Sequence, residues 1–289
     1  MSATQLRPGT GARSFESGAA DLYFGPTNER RPAWRRLVSD YGAAAGLLAL
    51  VIVAWQVVVT IAGLPEYALP VPSEVATSLY NDWPNILGPA SLTTLREVLA
   101  GFAMAVAGGT GIAVVLHLSG LLRKAVYPLL IASQTVPVIV LAPVLVVLFG
   151  FGIFPKLIVV GLICFFPIVV NGVDGLRSVD REYVLMMRTL HASRWAIFRR
   201  VEFPAALPQI FSGMRIAATY ASIGAVFGEW AGSNAGLGYV MLAAEPNLLT
   251  ARMFAAIVIL SVIATLLFGT VCLAQRLLAP WSRGEGARR

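Results

Sequence analysis

Six long apolar stretches, separated by shorter polar segments, follow one another along this chain. Each has roughly the 17–25 residues that a helix needs to cross the hydrocarbon core of a bilayer. The predicted spans are residues 42–64, 98–118, 126–149, 157–173, 211–230 and 254–277. Pro137 and Pro143 interrupt the third span, where each removes a backbone donor and favours a kink. The pattern predicts an all-α integral membrane protein with six transmembrane helices.

The basic residues are distributed unevenly between the connections. If the six helices alternate, 19 of the 22 Lys and Arg residues fall on one side, and only Arg96, Lys156 and Arg252 fall on the other. Basic connections stay in the cytoplasm, so both termini of this multi-pass chain are expected to be cytoplasmic. The positive net charge therefore reflects the orientation of the chain in the membrane rather than a surface for nucleic acid. We predict no nucleic-acid partner.

Composition supports the membrane assignment and narrows the chemistry. The chain is 57% hydrophobic and 13% charged, against about half and a quarter in soluble domains. Residues 1–41, rich in Gly, Ser, Pro and Arg, are predicted to be a disordered cytoplasmic tail before a transmembrane domain over 42–278, and 279–289 form a second tail. Cys164 and Cys272 lie in apolar runs and provide neither a disulfide framework nor a metal cluster.

No catalytic motif accompanies these spans. The sequence has no phosphate-binding Gly-x-x-x-x-Gly-Lys-Ser/Thr loop, no His-Glu-x-x-His zinc spacing and no Gly-x-Ser-x-Gly nucleophile turn. We therefore expect a protein that is not an enzyme and holds no cofactor in this chain.

One connection, residues 174–210, is longer than a simple link between two spans. Asp180 is a favourable N-cap for a short helix, and Glu182 places an anion in its first turn. An apolar stripe follows at helical spacing. Its members are Tyr183, Met186, Met187 and Leu190. Ser193 is suited to cap a second short helix, which Pro204 is expected to end.

The pattern alone leaves two interpretations of this loop open. The arginine-rich helices are suited to lie on anionic lipid headgroups. Alternatively, the first helix inserts its apolar stripe into a groove on a cytoplasmic partner. A helix-turn-helix on DNA is disfavoured, because two membrane helices hold the loop at the bilayer surface.

Residues 187–195 and 198–208 resemble the EAA loop of binding-protein-dependent ABC importer permeases. Other segments resemble, in chain order, the nitrate, sulfonate and taurine branch of that family. They are residues 69–75, 134–137, 141–143, 149–152, 165–167 and 236–239. The resemblance implies a type I ABC importer permease core in a bacterial inner membrane. In that family two permeases pair, an ATP-binding cassette protein docks beneath each, ATP and magnesium bind in that partner, and a substrate-binding protein docks outside.

The resemblance also implies roles for individual residues. In that family the helix that begins near Asp180 is the coupling helix, which moves with the ATPase. The matching positions are Arg188, Thr189, Leu190, Ala192, Ser193, Pro204, Leu207 and Pro208. The Glu-Ala-Ala positions are instead Leu185-Met186-Met187, which puts an ionic contact from that glutamate in doubt and favours an apolar one. Glu182 is an alternative anion. His191 stands where the family has a glycine, so it is expected to take up a turn conformation that glycine adopts at less cost.

Several polar residues lie at or near membrane depth, where they need a structural or functional reason. Gln134 and Thr135, beside Pro137, either face a translocation path or satisfy backbone groups at the kink. Glu229 is expected to gate that path, to pair with an arginine across a subunit interface, or to be solvated at a helix end. The small-residue pair Gly224 and Gly228 is a candidate for the subunit interface.

His117 and His191 are expected to be solvated surface residues rather than pH sensors.

These observations together favour a membrane-spanning permease subunit that works with an ATPase, a binding protein and a second permease copy. Segments 213–220 and 224–230, with the altered Glu-Ala-Ala, resemble relatives assigned to thiamine pyrimidine precursors or riboflavin. Import of sulfonate, taurine or nitrate is the alternative. An ion-coupled secondary transporter is the alternative class, but the internal repeat and paired intramembrane ionisable residues typical of that class are not evident.

Overall fold

The computed structural model describes residues 33–281, with side chains from residue 42 onward. All regular structure in this part of the chain is helical. The helices are α1 (Ala33–Ala62), α2 (Pro72–Asn81), α3 (Gly88–Leu118), α4 (Gly120–Ser133), α5 (Val138–Phe149), α6 (Ile153–Arg177), α7 (Arg181–Thr189), α8 (Arg194–Ile197), α9 (Phe203–Gly232), α10 (Leu237–Ala244) and α11 (Thr250–Leu278). Two π-helical turns, Trp83–Leu87 and Phe198–Glu202, run directly into α3 and α9.

Five continuous stretches in the described residues are long and apolar enough to cross a membrane. They are Gly42–Ala62, Trp83–Leu118, Ile153–Arg177, Arg194–Gly232 and Thr250–Leu278. The third predicted span corresponds to the pair α4 and α5, which meet at an angle of 97°. The predicted interruption at Pro137 is confirmed, whereas Pro143 lies inside the continuous helix α5 and does not interrupt it.

Two predicted boundaries are corrected. The helix α1 begins at Ala33, so residues 33–41 of the expected disordered tail are helical. Residues 1–32 and 282–289, which hold the rest of the two tails, lie outside the described residues. The second span begins well before residue 98, because the Trp83 π turn and α3 form one continuous stretch.

The chain divides into two compact units at Trp55. In the first unit, α1 exposes large apolar side chains such as Leu47, Leu50 and Val53. Such a surface is stable only against lipid or another apolar partner. The second unit, from Gln56 onward, contains the packed core.

The core of the second unit forms where α6 packs between α3 and α9. A Cβ on Gly213 would lie 2.6 Å from the carbonyl oxygen of Pro167 on α6. Gly224 and Gly228 likewise lie against α6, since a Cβ added there would lie 3.0 Å from Val160 Cα and 3.1 Å from Lys156 Cα, respectively. The expectation that Gly224 and Gly228 face another subunit is therefore wrong. Their missing side chains allow close helix approach within the chain.

On the side predicted to be external, α2 packs against α11, and an ion pair joins them. Arg252 donates from Nε and Nη2 to the two carboxylate oxygens of Asp82, at 2.8 and 2.9 Å. Ser78 donates to Asp82 Oδ2 at 2.8 Å. The hydrogen bonds from Arg252 hold the pKa of Asp82 below its ordinary value of 3.8, and burial opposes them only in part.

The ion pair predicts a pH-dependent contribution to stability. Because the folded-state pKa of Asp82 is lowered, its stabilisation is complete above pH 3.8 and is lost as the pH falls through the folded-state pKa. The purified protein should therefore unfold at a higher temperature than its Asp82→Asn variant between about pH 5 and 8, and this advantage should shrink below about pH 4. Thermal unfolding followed across this pH range checks it. An advantage that is undiminished at about pH 3 would contradict this account.

Candidate functional site

The helix α7 presents an apolar surface that nothing in the described chain covers. Asp180 Oδ1 accepts a hydrogen bond from the backbone N–H of Glu182 at 2.9 Å, which confirms the predicted N-cap. No residue of α7 is buried. Tyr183, Met186 and Leu190 are 59%, 54% and 69% exposed. Met187, the fourth member of the predicted stripe, is half-buried.

A tight turn at His191 ends α7. His191 has φ of 57°, the left-handed conformation that glycine adopts at least cost. Its N–H donates to the Arg188 carbonyl at 2.9 Å, and the N–H of Ala192 donates to the Met187 carbonyl at 3.0 Å. These two bonds form a Schellman motif, which satisfies carbonyls at the helix end. The predicted glycine-like turn is thus confirmed, and His191 is exposed as expected.

The helix α8 begins at the predicted cap, since Ser193 Oγ accepts from the Ala196 N–H at 3.2 Å. The prediction that Pro204 ends this helix is wrong. The helix continues through the π turn Phe198–Glu202 into α9, and Pro204 lies in the first turn of α9. A proline inside a regular α-helix clashes with the carbonyl four residues earlier. The wider π turn immediately before Pro204 provides the local change in backbone pairing that such a residue requires.

The start of this continuous helix is anchored to the core. Leu176, Phe198, Ala206 and Ile210 form a buried apolar cluster that joins α6 to the π turn and α9. Trp195 stacks on Phe198, with ring centroids 5.3 Å apart. The loop therefore consists of an exposed helix, α7, connected by one tight turn to a fixed base.

Two polar contacts attach the same base to the end of α3. His117 Nε2 lies 2.9 Å from Glu202 Oε2, and the two side chains are only 14% and 18% exposed. Arg194 donates from Nη2 to the backbone carbonyl of Leu118 at 2.7 Å. The prediction that His117 is a solvated surface residue is wrong, because it joins two elements that lie far apart in sequence.

The other loop residues that match the family motif make only local contacts or are partly exposed. Thr189 Oγ1 donates to the Met186 carbonyl at 2.7 Å, within α7. Arg188 is exposed and Ala192 is half-buried. Leu207 and Pro208 are half-buried within α9.

At the other end of α9, Glu229 is fully buried and caps a neighbouring helix. Its Oε2 accepts from the backbone N–H groups of Gly238 and Tyr239, at 2.5 and 3.3 Å. Thr94 on α3 donates to Glu229 Oε1 at 2.6 Å and accepts from the Leu237 N–H at 2.8 Å. Together, Glu229 and Thr94 satisfy the first three backbone donors of α10. The expectation of a solvated Glu229 is wrong.

The two positions that flank Leu237 must be glycine because they lie so close to the Glu229 carboxylate. Gly236 has φ of 106°, and a Cβ there would collide with the Glu229 carboxylate. A Cβ on Gly238 would lie 2.9 Å from Glu229 Oε2. The backbone can therefore approach the carboxylate closely only where side chains are absent.

A second buried carboxylate lies one helical turn from Thr94. Glu97, 1% exposed, accepts a hydrogen bond from Lys156 Nζ at 2.5 Å. Lys156 also donates to Ser233 Oγ at 2.8 Å, just beyond α9. The buried polar cluster of Thr94, Glu97, Lys156, Glu229 and Ser233 thus joins α3, α6, α9 and the start of α10. Buried charges are tolerated when they are paired, so this cluster fixes the four elements relative to one another.

The remaining predicted path residues lie elsewhere. Gln134, Thr135 and Pro137 are exposed at the break between α4 and α5. Thr135 Oγ1 donates to the Ala132 carbonyl at 2.8 Å, so this hydroxyl satisfies backbone at the kink. The structure does not bring these residues into the cluster around Glu229.

Glu97, Lys156 and Thr94 were missed by sequence analysis, as was Glu202. Glu97 and Lys156 were assigned to external connections because predicted spans began one residue after each. The available signal was a pair of opposite charges, one just before the second predicted span and one just before the fourth, which both start on the same side of the membrane. Within the described residues, no group of three metal-ligating side chains occurs, and Cys164 and Cys272 are free.

A model of binding-protein-dependent transport system inner membrane components matches residues 98–283. The chain belongs to this family. It is therefore the membrane-spanning permease subunit of an ABC importer, and the predicted family is confirmed. The structure is also similar to the MetNI methionine ABC transporter in an inward-facing conformation, with a TM-score of 0.56, 18% identity, and coverage of 67% of this chain and 96% of that chain. This likeness supports the predicted all-α permease fold.

Curated relatives of this permease differ in what their names say they transport. The formylaminopyrimidine transport permease protein ThiX of Halalkalibacterium halodurans is 36% identical over 82% of this chain and 94% of its own length. The riboflavin transport system permease protein RibX of Chloroflexus aurantiacus is 35% identical over 89% and 97%. The taurine transport system permease protein TauC of Escherichia coli is 30% identical over 88% and 95%.

Proposed function

We propose that this permease imports a small uncharged heterocycle of the pyrimidine or flavin type, driven by a separate ATP-binding subunit that docks on α7. The observation that carries the coupling role is the exposed apolar stripe of Tyr183, Met186 and Leu190 on a short helix. Such a stripe suits insertion into a groove on a protein partner. The Schellman turn and the anchored base hold this helix in a fixed place relative to α9.

The substrate class rests on the relatives. Two of the most similar proteins carry names that refer to formylaminopyrimidine and riboflavin, at 36% and 35% identity. The sulfonate and taurine proteins are each 30% identical. Fold alone does not determine function, so the ranking of substrates is a proposal for experiment.

The assembly and its orientation complete the proposal. Both termini and α7 lie in the cytoplasm, as the distribution of basic residues indicates. A substrate-binding protein docks on the opposite face, near α2 and α10. Two copies of this chain pair through their exposed apolar surfaces, as closed two-fold assemblies commonly do.

The test is purification of the tagged permease in mild detergent from the cells that produce it. An ATP-binding protein should co-purify in an equal ratio, and the complex should hydrolyse ATP. Reconstituted vesicles supplied with the binding protein should take up labelled formylaminopyrimidine or riboflavin only when ATP is present, and should not take up taurine. Uptake by the permease alone, driven by an ion gradient, would overturn the ATP-driven function. Uptake of taurine instead would overturn the substrate class.

A further inference from the structure

A groove of about 350 Å³ lies between α9, α10 and α11. Its walls are mainly apolar, and Phe227, Trp230 and Met241 contribute large side chains. None of the described residues that line it carries a charge. A groove of this size is at the lower end of the range for small-molecule sites.

One polar group in this groove lacks a partner. Ser222 is 6% exposed, and its Oγ makes no hydrogen bond. The other lining hydroxyls are satisfied locally, since Thr219 donates to the Ile216 carbonyl and Ser261 donates to the Ile257 carbonyl. A buried hydroxyl without a partner is uncommon and costs stability, which points to a ligand that supplies the missing bond.

The aromatic wall is held in place before any ligand arrives. Phe227 and Trp230 pack edge to face, with centroids 5.5 Å apart at 86°. Trp230 Nε1 donates to the Gly238 carbonyl at 3.0 Å, which fixes the indole ring. An edge-to-face pair leaves aromatic faces uncovered, and these favour contact with another planar ring. A preorganised wall loses little conformational entropy on binding.

We infer that this groove is a transient binding site for the uncharged planar ring of the imported molecule, with Ser222 as the specificity-determining hydrogen-bond partner. This inference rests on the proposed function and deepens it. A sulfonate or nitrate buried here would have no cation to pair with, and an unpaired buried anion is costly. A lipid acyl chain offers no partner to Ser222.

The test measures binding of two probes, riboflavin and formylaminopyrimidine, to the complex of permease and ATPase in nanodiscs without binding protein. The wild type should bind at least one probe, and Ser222→Ala should weaken that binding about tenfold through loss of one hydrogen bond. The matched control is Ser91→Ala on α3, whose hydroxyl already donates to the Leu87 carbonyl, and its affinity should equal that of the wild type. Taurine should not bind to the nanodisc complex.

A second measurement on the Ser222→Ala variant, its unfolding temperature, distinguishes a loss of ligand binding from a loss of folding. Because it removes an unsatisfied buried hydroxyl, its unfolding temperature without ligand should equal or exceed that of the wild type. Equal ring affinity for Ser222→Ala and Ser91→Ala would overturn the inference and indicate that lipid or a second copy covers the groove. Absence of ring binding by the wild type would also overturn it. Neither result affects ATPase co-purification or ATP-dependent uptake, which test the proposed function separately.

Discussion

Replacement of Lys156 with methionine should lower the stability of the permease by about 3–5 kcal/mol, because it leaves the Glu97 carboxylate buried without its partner. Lys156 Nζ lies 2.5 Å from Glu97 Oε1, and their side chains are 8% and 1% exposed. For a protein of this size, the unfolding temperature in detergent should fall by roughly 10 °C. Loss of the monodisperse species on heating, followed by size-exclusion chromatography, measures the effect.

A double variant separates the cost of the unpaired Glu97 charge from the cost of the changed packing at position 156. The double variant Lys156→Met with Glu97→Gln removes both charges, and it should recover much of the lost stability. The matched control is Lys124→Met, which removes the same charge from an exposed position on α4 and should change stability by less than about 0.5 kcal/mol. Equal unfolding temperatures for Lys156→Met and Lys124→Met would mean that the Glu97–Lys156 pair contributes nothing.

Replacement of Met186 with aspartate should reduce the affinity for the ATPase subunit by tenfold or more. An unpaired carboxylate in an apolar contact carries a desolvation cost, and the lost thioether packing adds to it. Met186 is 54% exposed, so the permease itself should keep its unfolding temperature. The ratio of co-purified ATPase to permease, measured over a series of salt concentrations, reports the change.

The matched control for Met186 is Leu248→Asp. Leu248 is 60% exposed in the connection between α10 and α11, beyond the other end of α9, and its φ of 55° suits aspartate. This variant should retain the ATPase fully. If Met186→Asp retains it as well, α7 lies on lipid headgroups and the ATPase docks elsewhere.

The loop of residues 174–210 could be predicted well because its determinants are local. An N-cap carboxylate, a stripe at helical spacing and a second cap are all set within about one helical turn. Asp180, Ser193 and the glycine-like turn at His191 were therefore anticipated correctly. Pro204 was not, because a π turn depends on the packing of Phe198 against α6 and α9 as well as on the residue itself.

The polar cluster could not be predicted because its contacts join residues far apart in sequence. Thr94 and Glu229 are separated by 135 positions, and Glu97 and Lys156 by 59. Hydropathy assigns a charged residue at the end of an apolar run to a connection, yet helices often extend past that run. For the same reason, Gly224 and Gly228 were correctly identified as sites of close helix approach, but the partner helix lies in the same chain.

The unbroken helix from Arg194 to Gly232 links the two ends of the permease mechanically. At 1.5 Å per residue, its 39 residues extend about 58 Å. One end is attached to α3 through His117 and Glu202, and the other caps α10 through Glu229. If the ATPase docks on α7 as proposed, the force that it applies there acts on a single stiff lever. A tilt of that lever by about 10° would move its far end by roughly 10 Å. The permease would then open on one face of the membrane and close on the other through a single movement of this helix. No separate signal needs to pass between the two faces.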